Sequence, residues 1–183
     1  MAAADEQHLI IQAQQGIHGA YRVLVERHMK QAYNVAYSFV NDHAQAEDVA
    51  QEAFIRAYRS LPSFRREAEF GTWLYRIVTN LALNRVRQRS ARASREVPLS
   101  AAEPLVSTVD DGTGADIRAH IEKALHELPT LQRAVVILRH LDGLSTKQVS
   151  DILQCSEGTV KTHCFRGLRK LRQKLEFLKS EPA

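Results

Sequence analysis

Apolar residues recur at helical spacing along most of the chain, and no segment shows the period-two alternation of a half-buried strand. Leu24, Val35, Ala36 and Phe39 form one stripe, with Gly16 and Gly19 punctuating the approach to it. Asn41 and Asp42 are capping residues ahead of a second stripe, Val49, Ala53, Ala57 and Leu61. Pro62 predicts a stop near Ser60, because proline disfavours helical backbone in the residue before it. After the loop SFRREAEFG, Thr72 is expected to cap a helix carrying Leu74, Ile77, Val78 and Leu81. That helix runs without a breaker into an arginine-rich stretch.

Residues 96–115 have neither periodicity and contain Pro98, Pro104, Gly112 and Gly114, which predicts a linker. A structureless run of about 20 residues inside one compact fold would be unusual. Beyond it, a helix is expected from Ile117 to Leu128, ended by Pro129, and another from about Leu131 to Leu141, ended by Gly143. Ser145 and Gln148 have the spacing of a capping box, opening a short helix with Val149, Ile152 and Leu153 inward. A bend at Gln154 to Ser156 leads to a long last helix, capped by Ser156 and expected to bury Val160 and Leu168. Two helices with a short turn, the second more basic, form a helix-turn-helix pattern. The predicted fold class is all-α: two small helical domains, 1–95 and 116–183, joined by a flexible linker.

Composition adds limits. A chain of 183 residues with 44% apolar and 25% charged residues suits a folded soluble protein. No stretch approaches the ~18 apolar residues of a membrane helix, so membrane insertion is not expected. The start, MAAADEQHLI, lacks the basic and apolar regions of a secretory signal, which points to the cytoplasm. Cys155 and Cys164 make neither a disulfide framework nor a metal-ligand spacing, even with His163 beside Cys164. No phosphate loop, nucleophile elbow or metal-spaced set appears, so neither catalysis nor a cofactor is expected.

Charge is informative through its placement. Phe70 to Arg95 contains six arginines and no acid; Gly158 to Leu175 contains six lysines and arginines and no acid. Between them, residues 96–115 hold four acids and no lysine or arginine. Two cationic surfaces on one chain suggest one polyanion contacted at two places. In the helix-turn-helix, Lys161, Thr162, Arg166 and Arg169 fall on the open side of the second helix. Ser150 stands where alanine is commoner and Gln154 where glycine often is. Glu47, Asp48 and Glu52 make an acidic helix face, unsuited to phosphate and suited to a protein partner.

Two quoted blocks carry a family resemblance. AEDVAQEAFIRAYRSLPSFRREAEFGTWLYRIVTNLALNRVR, Ala46 to Arg87, resembles region 2 of extracytoplasmic-function sigma factors. LPTLQRAVVILRHLDGLSTKQVSDILQCSEGTVKTHCFRGLRKL, Leu128 to Leu171, resembles their region 4. The resemblance implies a factor that binds core RNA polymerase and directs initiation at promoter DNA. Asp48, Gln51 and Glu52 fall on positions that dock the β′ clamp helices, and region 4 implies a contact with the β flap. Phe64, Arg65 and Asn80 match the segment that captures the melted −10 strand, with Arg76, Arg85 and Arg87 toward phosphate and Trp73 as packing. Lys161, Thr162, His163, Phe165 and Arg166 occupy positions that read the −35 duplex, with Arg169 further along the same helix. The acidic linker, with Glu96, Glu103, Asp110 and Asp111, would occupy the RNA exit channel, and an anti-sigma factor is an expected partner. The alternative is a stand-alone helix-turn-helix regulator, which would leave the Ala46 to Arg87 block unexplained.

Overall fold

The computed structural model describes residues 2–93 and 112–179. Among them, all regular structure is helical. Helix α1, Ala2–Gln14, turns at Gly16, whose φ of 89° suits glycine, into α2, His18–Val40. Leu24, Val35, Ala36 and Phe39 are fully buried along α2. Asn41, left-handed at φ 58°, ends α2, and Asp42 caps α3, His43–Ser60, by accepting from the Gln45 N–H at 2.8 Å. The stripe Val49, Ala53, Ala57 and Leu61 is buried, and the helix gives way to a 3₁₀ turn, Leu61–Ser63, at Pro62.

Helix α4, Phe70–Ala93, starts three residues earlier than a cap at Thr72 predicts. The Trp73 N–H bonds Glu69 O at 3.1 Å, and Thr72 is buried within the first turn. Phe70 is also buried, so the core needs it on the helix rather than in the loop.

The second unit comprises α5, Gly112–His126; α6, Thr130–Val136, extended by a π turn, Ile137–Leu141; α7, Thr146–Leu153; and α8, Glu157–Lys174. Helix α5 begins inside the stretch expected to be linker. Gly112 and Gly114 are weak helix formers, which is why the sequence places the start later. The rest of that stretch, with its four acids, lies outside the described residues.

Helix α8 buries Val160 and Gly167, with Cys164 and Leu171 half-buried on the same stripe. Leu168 is corrected by this register: it is one residue, about 100°, past Gly167 and is 39% exposed. At Gly167 an added Cβ would stand 2.7 Å from Val136 Cγ2, so the glycine sets how closely α8 lies on α6.

The two units share one contiguous apolar core, in which Val35, Phe39 and Val78 join Val135, Leu138 and Ile152. Arg133, only 6% exposed, fastens them. Its Nε donates to Ser38 O at 2.9 Å and its Nη2 to Phe39 O at 3.0 Å, while Nη1 reaches His126 O at 3.2 Å and Leu128 O at 3.4 Å. Those carbonyls lie at the C-terminal ends of α2 and α5, where orphan acceptors and the helix dipole both favour a cation.

Candidate nucleic-acid interface

The helix-turn-helix is built by its caps. Ser145 Oγ accepts from the Gln148 N–H at 3.1 Å, and the Ser145 N–H donates to Gln148 Oε1 at 2.9 Å. Gln154 makes the bend at φ 52°, a left-handed conformation that costs a non-glycine residue about 1 kcal/mol. Ser156 Oγ then accepts from the Thr159 N–H at 3.1 Å and opens α8. Ser150 is buried, its hydroxyl donating to Lys147 O at 2.8 Å, so the serine is satisfied where alanine is commoner.

On α8, Lys161, Thr162, Phe165, Arg166 and Arg169 are exposed together. Thr162 Oγ1 donates to Gly158 O at 2.9 Å. Phe165, 66% exposed, is a large apolar ring beside cations, chemistry that suits a thymine methyl next to phosphate and base edges. His163 differs: it is half-buried, and its Nδ1 is buried without a hydrogen-bond partner. Behind the helix, Cys164 Sγ lies 3.4 Å from His140 Nε2, and both thiols are free.

The second cationic surface lies on α4 and the segment before it. Arg65, Asn80, Arg87, Arg89 and Arg92 are exposed. Arg85 is half-buried, 3.6 Å from Glu52. Arg76 is turned to the other unit, where its Nε donates to Asp151 O at 2.7 Å. Phe64, expected to meet an unstacked base, is 7% exposed and belongs to the core. Its ring packs 4.7 Å from Trp73 and 6.0 Å, edge on, from Phe70. Trp73 is half-buried in that aromatic cluster, the packing role expected of it.

On α3, Asp48 and Gln51 are exposed, and Glu52 bonds Arg56 at 2.5 Å. Ile55 and Tyr58, which the sequence reading did not single out, stand exposed on the same helix. Their signal is an apolar residue off the buried stripe, and acid beside exposed apolar surface is protein-docking chemistry. Among the described residues, no group of three or more His, Cys, Asp or Glu is arranged to hold a metal ion. Among the same residues no helix is long and apolar enough to cross a membrane.

Comparison with known proteins covers both surfaces. Residues 24–92 match the Sigma-70 region 2 family, and residues 118–171 match Sigma-70 region 4. The ECF RNA polymerase sigma factor SigW of Bacillus subtilis is 34% identical over 92% of this chain and 96% of its own. The RNA polymerase sigma-H factor of Pseudomonas aeruginosa is 32% identical, over 97% of each chain. Among solved structures, CnrH in complex with the cytosolic domain of CnrY superposes with a TM-score of 0.70 at 26% identity, covering 94% of this chain and 97% of that one. The Bartonella quintana sigma factor RpoE, bound to the anti-sigma factor NepR, shares the fold with a TM-score of 0.68 at 23% identity, over 85% of this chain and 96% of that one. With its two cationic helices, its acidic α3 and both sigma regions in order over nearly its whole length, the chain belongs to the extracytoplasmic-function (ECF) family of RNA polymerase sigma factors.

Proposed function

We propose that the protein binds core RNA polymerase in the cytoplasm and directs initiation at promoters with two elements, acting without catalysis of its own. The observation that carries this reading is the pairing, in one chain, of an exposed basic and polar face on α8 with a second cationic surface on α4. A lone helix-turn-helix regulator has no use for the second.

In this reading α8 enters the major groove of the −35 duplex. Arg166 is the candidate for a guanine edge, Phe165 for a thymine methyl, and Lys161, Thr162 and Arg169 for phosphate or neighbouring edges. His163, half-buried, supports the helix from behind. On the other unit, Asn80 and Arg65 line the path of the melted −10 strand and Arg87 meets its backbone. Arg76 and Arg85 become available only when Asp151 and Glu52 release them. Phe64 shapes this surface from beneath. Asp48, Gln51 and Glu52, with Ile55 and Tyr58, dock the β′ clamp helices, while the second unit meets the β flap. The first domain closes near residue 95 and the second opens with α5 at Gly112, and the acids of the intervening stretch suit the RNA exit channel.

An anti-sigma factor is a fitting partner, since CnrH was solved with the cytosolic domain of CnrY and the Bartonella factor with the anti-sigma factor NepR. The test is capture of core polymerase by purified protein, followed by transcription from a library of random upstream sequences. Core binding with initiation selective for a two-element promoter supports the reading. Tight duplex binding by the free protein without core binding overturns it.

A further inference from the structure

The segment between α3 and α4 is the part assigned to the −10 strand, and α1 holds it at both ends. At its start, Gln14, the last residue of α1, donates both amide hydrogens: Nε2 lies 3.0 Å from Leu61 O and 3.0 Å from Phe64 O. These carbonyls flank the 3₁₀ turn Leu61–Ser63, which is closed by the Phe64 N–H on Leu61 O at 3.0 Å. At its far end, Glu6 of α1 meets His28 Nε2 at 2.6 Å, and His28 Nδ1 meets Tyr75 OH at 2.7 Å. Tyr75 in turn donates to Gln31 Oε1 at 2.8 Å. Gly71 is packed against this relay so closely that a Cβ would come within 3.1 Å of His28 Cε1.

Between the two anchors, Arg65, Arg66, Glu67 and Glu69 are exposed, and Arg66 adopts a left-handed φ of 61°. Phe64 and Phe70 point inward onto Trp73. The exposed side chains therefore depend for their placement on a turn that buries an aromatic ring and is tied from outside by one amide. A loop that must meet single-stranded bases gains affinity from being ordered before it binds, because it then loses less entropy on capture.

We propose that Gln14 is a positioning residue for −10 strand recognition, acting through the Leu61–Phe64 turn and touching no DNA itself. This rests on the −10 assignment made above. Replacing Gln14 by methionine keeps the length and bulk of the side chain and removes both donors. Replacing it by lysine restores a donor group at the same reach.

The measurement compares holoenzymes made with wild type, Gln14→Met and Gln14→Lys. It reads binding to a single-stranded −10 oligonucleotide and to variants changed one base at a time, alongside core affinity and binding to a −35 duplex. Gln14→Met is expected to weaken strand binding about 10-fold, the factor that 1.4 kcal/mol represents, and to flatten preference at the bases nearest the loop. Core affinity and −35 binding stay within about 2-fold of wild type, a change of less than 0.5 kcal/mol. Gln14→Lys recovers most of the strand binding and of the base preference.

Strand affinity and preference unchanged in Gln14→Met, beside a wild type that shows both, overturn the inference and leave the −10 assignment standing. Equal losses in core, −35 and strand binding also overturn it, because Gln14 would then serve only stability. A wild-type holoenzyme with no strand preference overturns the −10 assignment itself, and the inference with it.

Discussion

One methyl group at Gly167 separates two outcomes for α8, the helix proposed to carry the −35 face. Added there, it would lie 2.7 Å from Val136 Cγ2 and 3.3 Å from the backbone oxygen of Gln132, neither of which moves freely. Relieving that overlap costs about 1–3 kcal/mol, while alanine gains about 1 kcal/mol over glycine in helix propensity. Gly167→Ala is therefore expected to destabilise the protein by about 1 kcal/mol, read by urea denaturation, and to weaken −35 duplex binding as α8 is pushed off α6. Unchanged stability would show that Val136 yields. The sequence points to a buried stripe on α8 but cannot show that a glycine lies in it. That glycine places Leu168, the residue expected inside, on the solvent side.

The helix-turn-helix depends on an element too short to stand alone. Helix α7 has eight residues, and isolated helices below about 12 are marginal in water. Its capping box is thus a large share of what fixes it. Ser145→Ala combined with Gln148→Ala should cost about 1–2 kcal/mol in global stability and lower −35 binding, with core affinity unchanged. Parallel thermal melts and the two binding assays check this. An equal fall in core binding would mean that α7 supports the β-flap contact or the α3 surface as well. Elements of this kind were legible beforehand because caps act within three or four residues. The start of α4 was not, because burial of Phe70 outweighed the capping preference of Thr72.

At the scale of the whole molecule, the two DNA-facing units are folded against each other. Arg76 of α4 bonds Asp151 of α7, and Asn34 Nδ2 donates to Asp142 Oδ1 at 2.7 Å. Promoter elements centred near −35 and −10 lie roughly 85 Å apart at 3.4 Å per base pair, so simultaneous reading requires the units to separate. Arg133→Ala removes the cation that holds the ends of α2 and α5. It is expected to destabilise the closed form by about 3 kcal/mol and to raise the radius of gyration measured by X-ray scattering.

Acid acts in the same direction. His126 Nε2 lies 2.9 Å from Tyr37 OH and its Nδ1 2.5 Å from Asn41 Nδ2, so the neutral ring bridges the units. Burial, then Arg133 and, less strongly, His43, lowers its pKa, while Glu122 opposes. In the open chain the ring returns to about 6.5. The closed form then binds fewer protons than the open one, so its His126 contribution is whole above about 6.5 and is lost as pH falls through the lowered value. Asp142, whose pKa is raised by burial against the Asn34 hydrogen bond, works oppositely. Scattering between pH 8 and 5.5 should show expansion in the wild type and much less in His126→Gln; identical curves would remove His126 from the contact between the units.

Sequence alone determined what is local: the helical class, the caps at Asp42, Ser145 and Ser156, the helix-turn-helix, and the separation of charge into basic, acidic and basic blocks. Periodicity and capping act over a few residues, and the family motifs are continuous stretches. Tertiary structure decided what each side chain does with its chemistry. Gln14 finds its carbonyls 47 and 50 residues away, and Arg133 reaches Ser38 across 95. Nothing in an arginine's position along the chain says whether its guanidinium meets phosphate, a carboxylate or the end of a helix. Only packing separates exposed Arg87 from Arg85, Arg76 and Arg133, and only packing turns Phe64 inward.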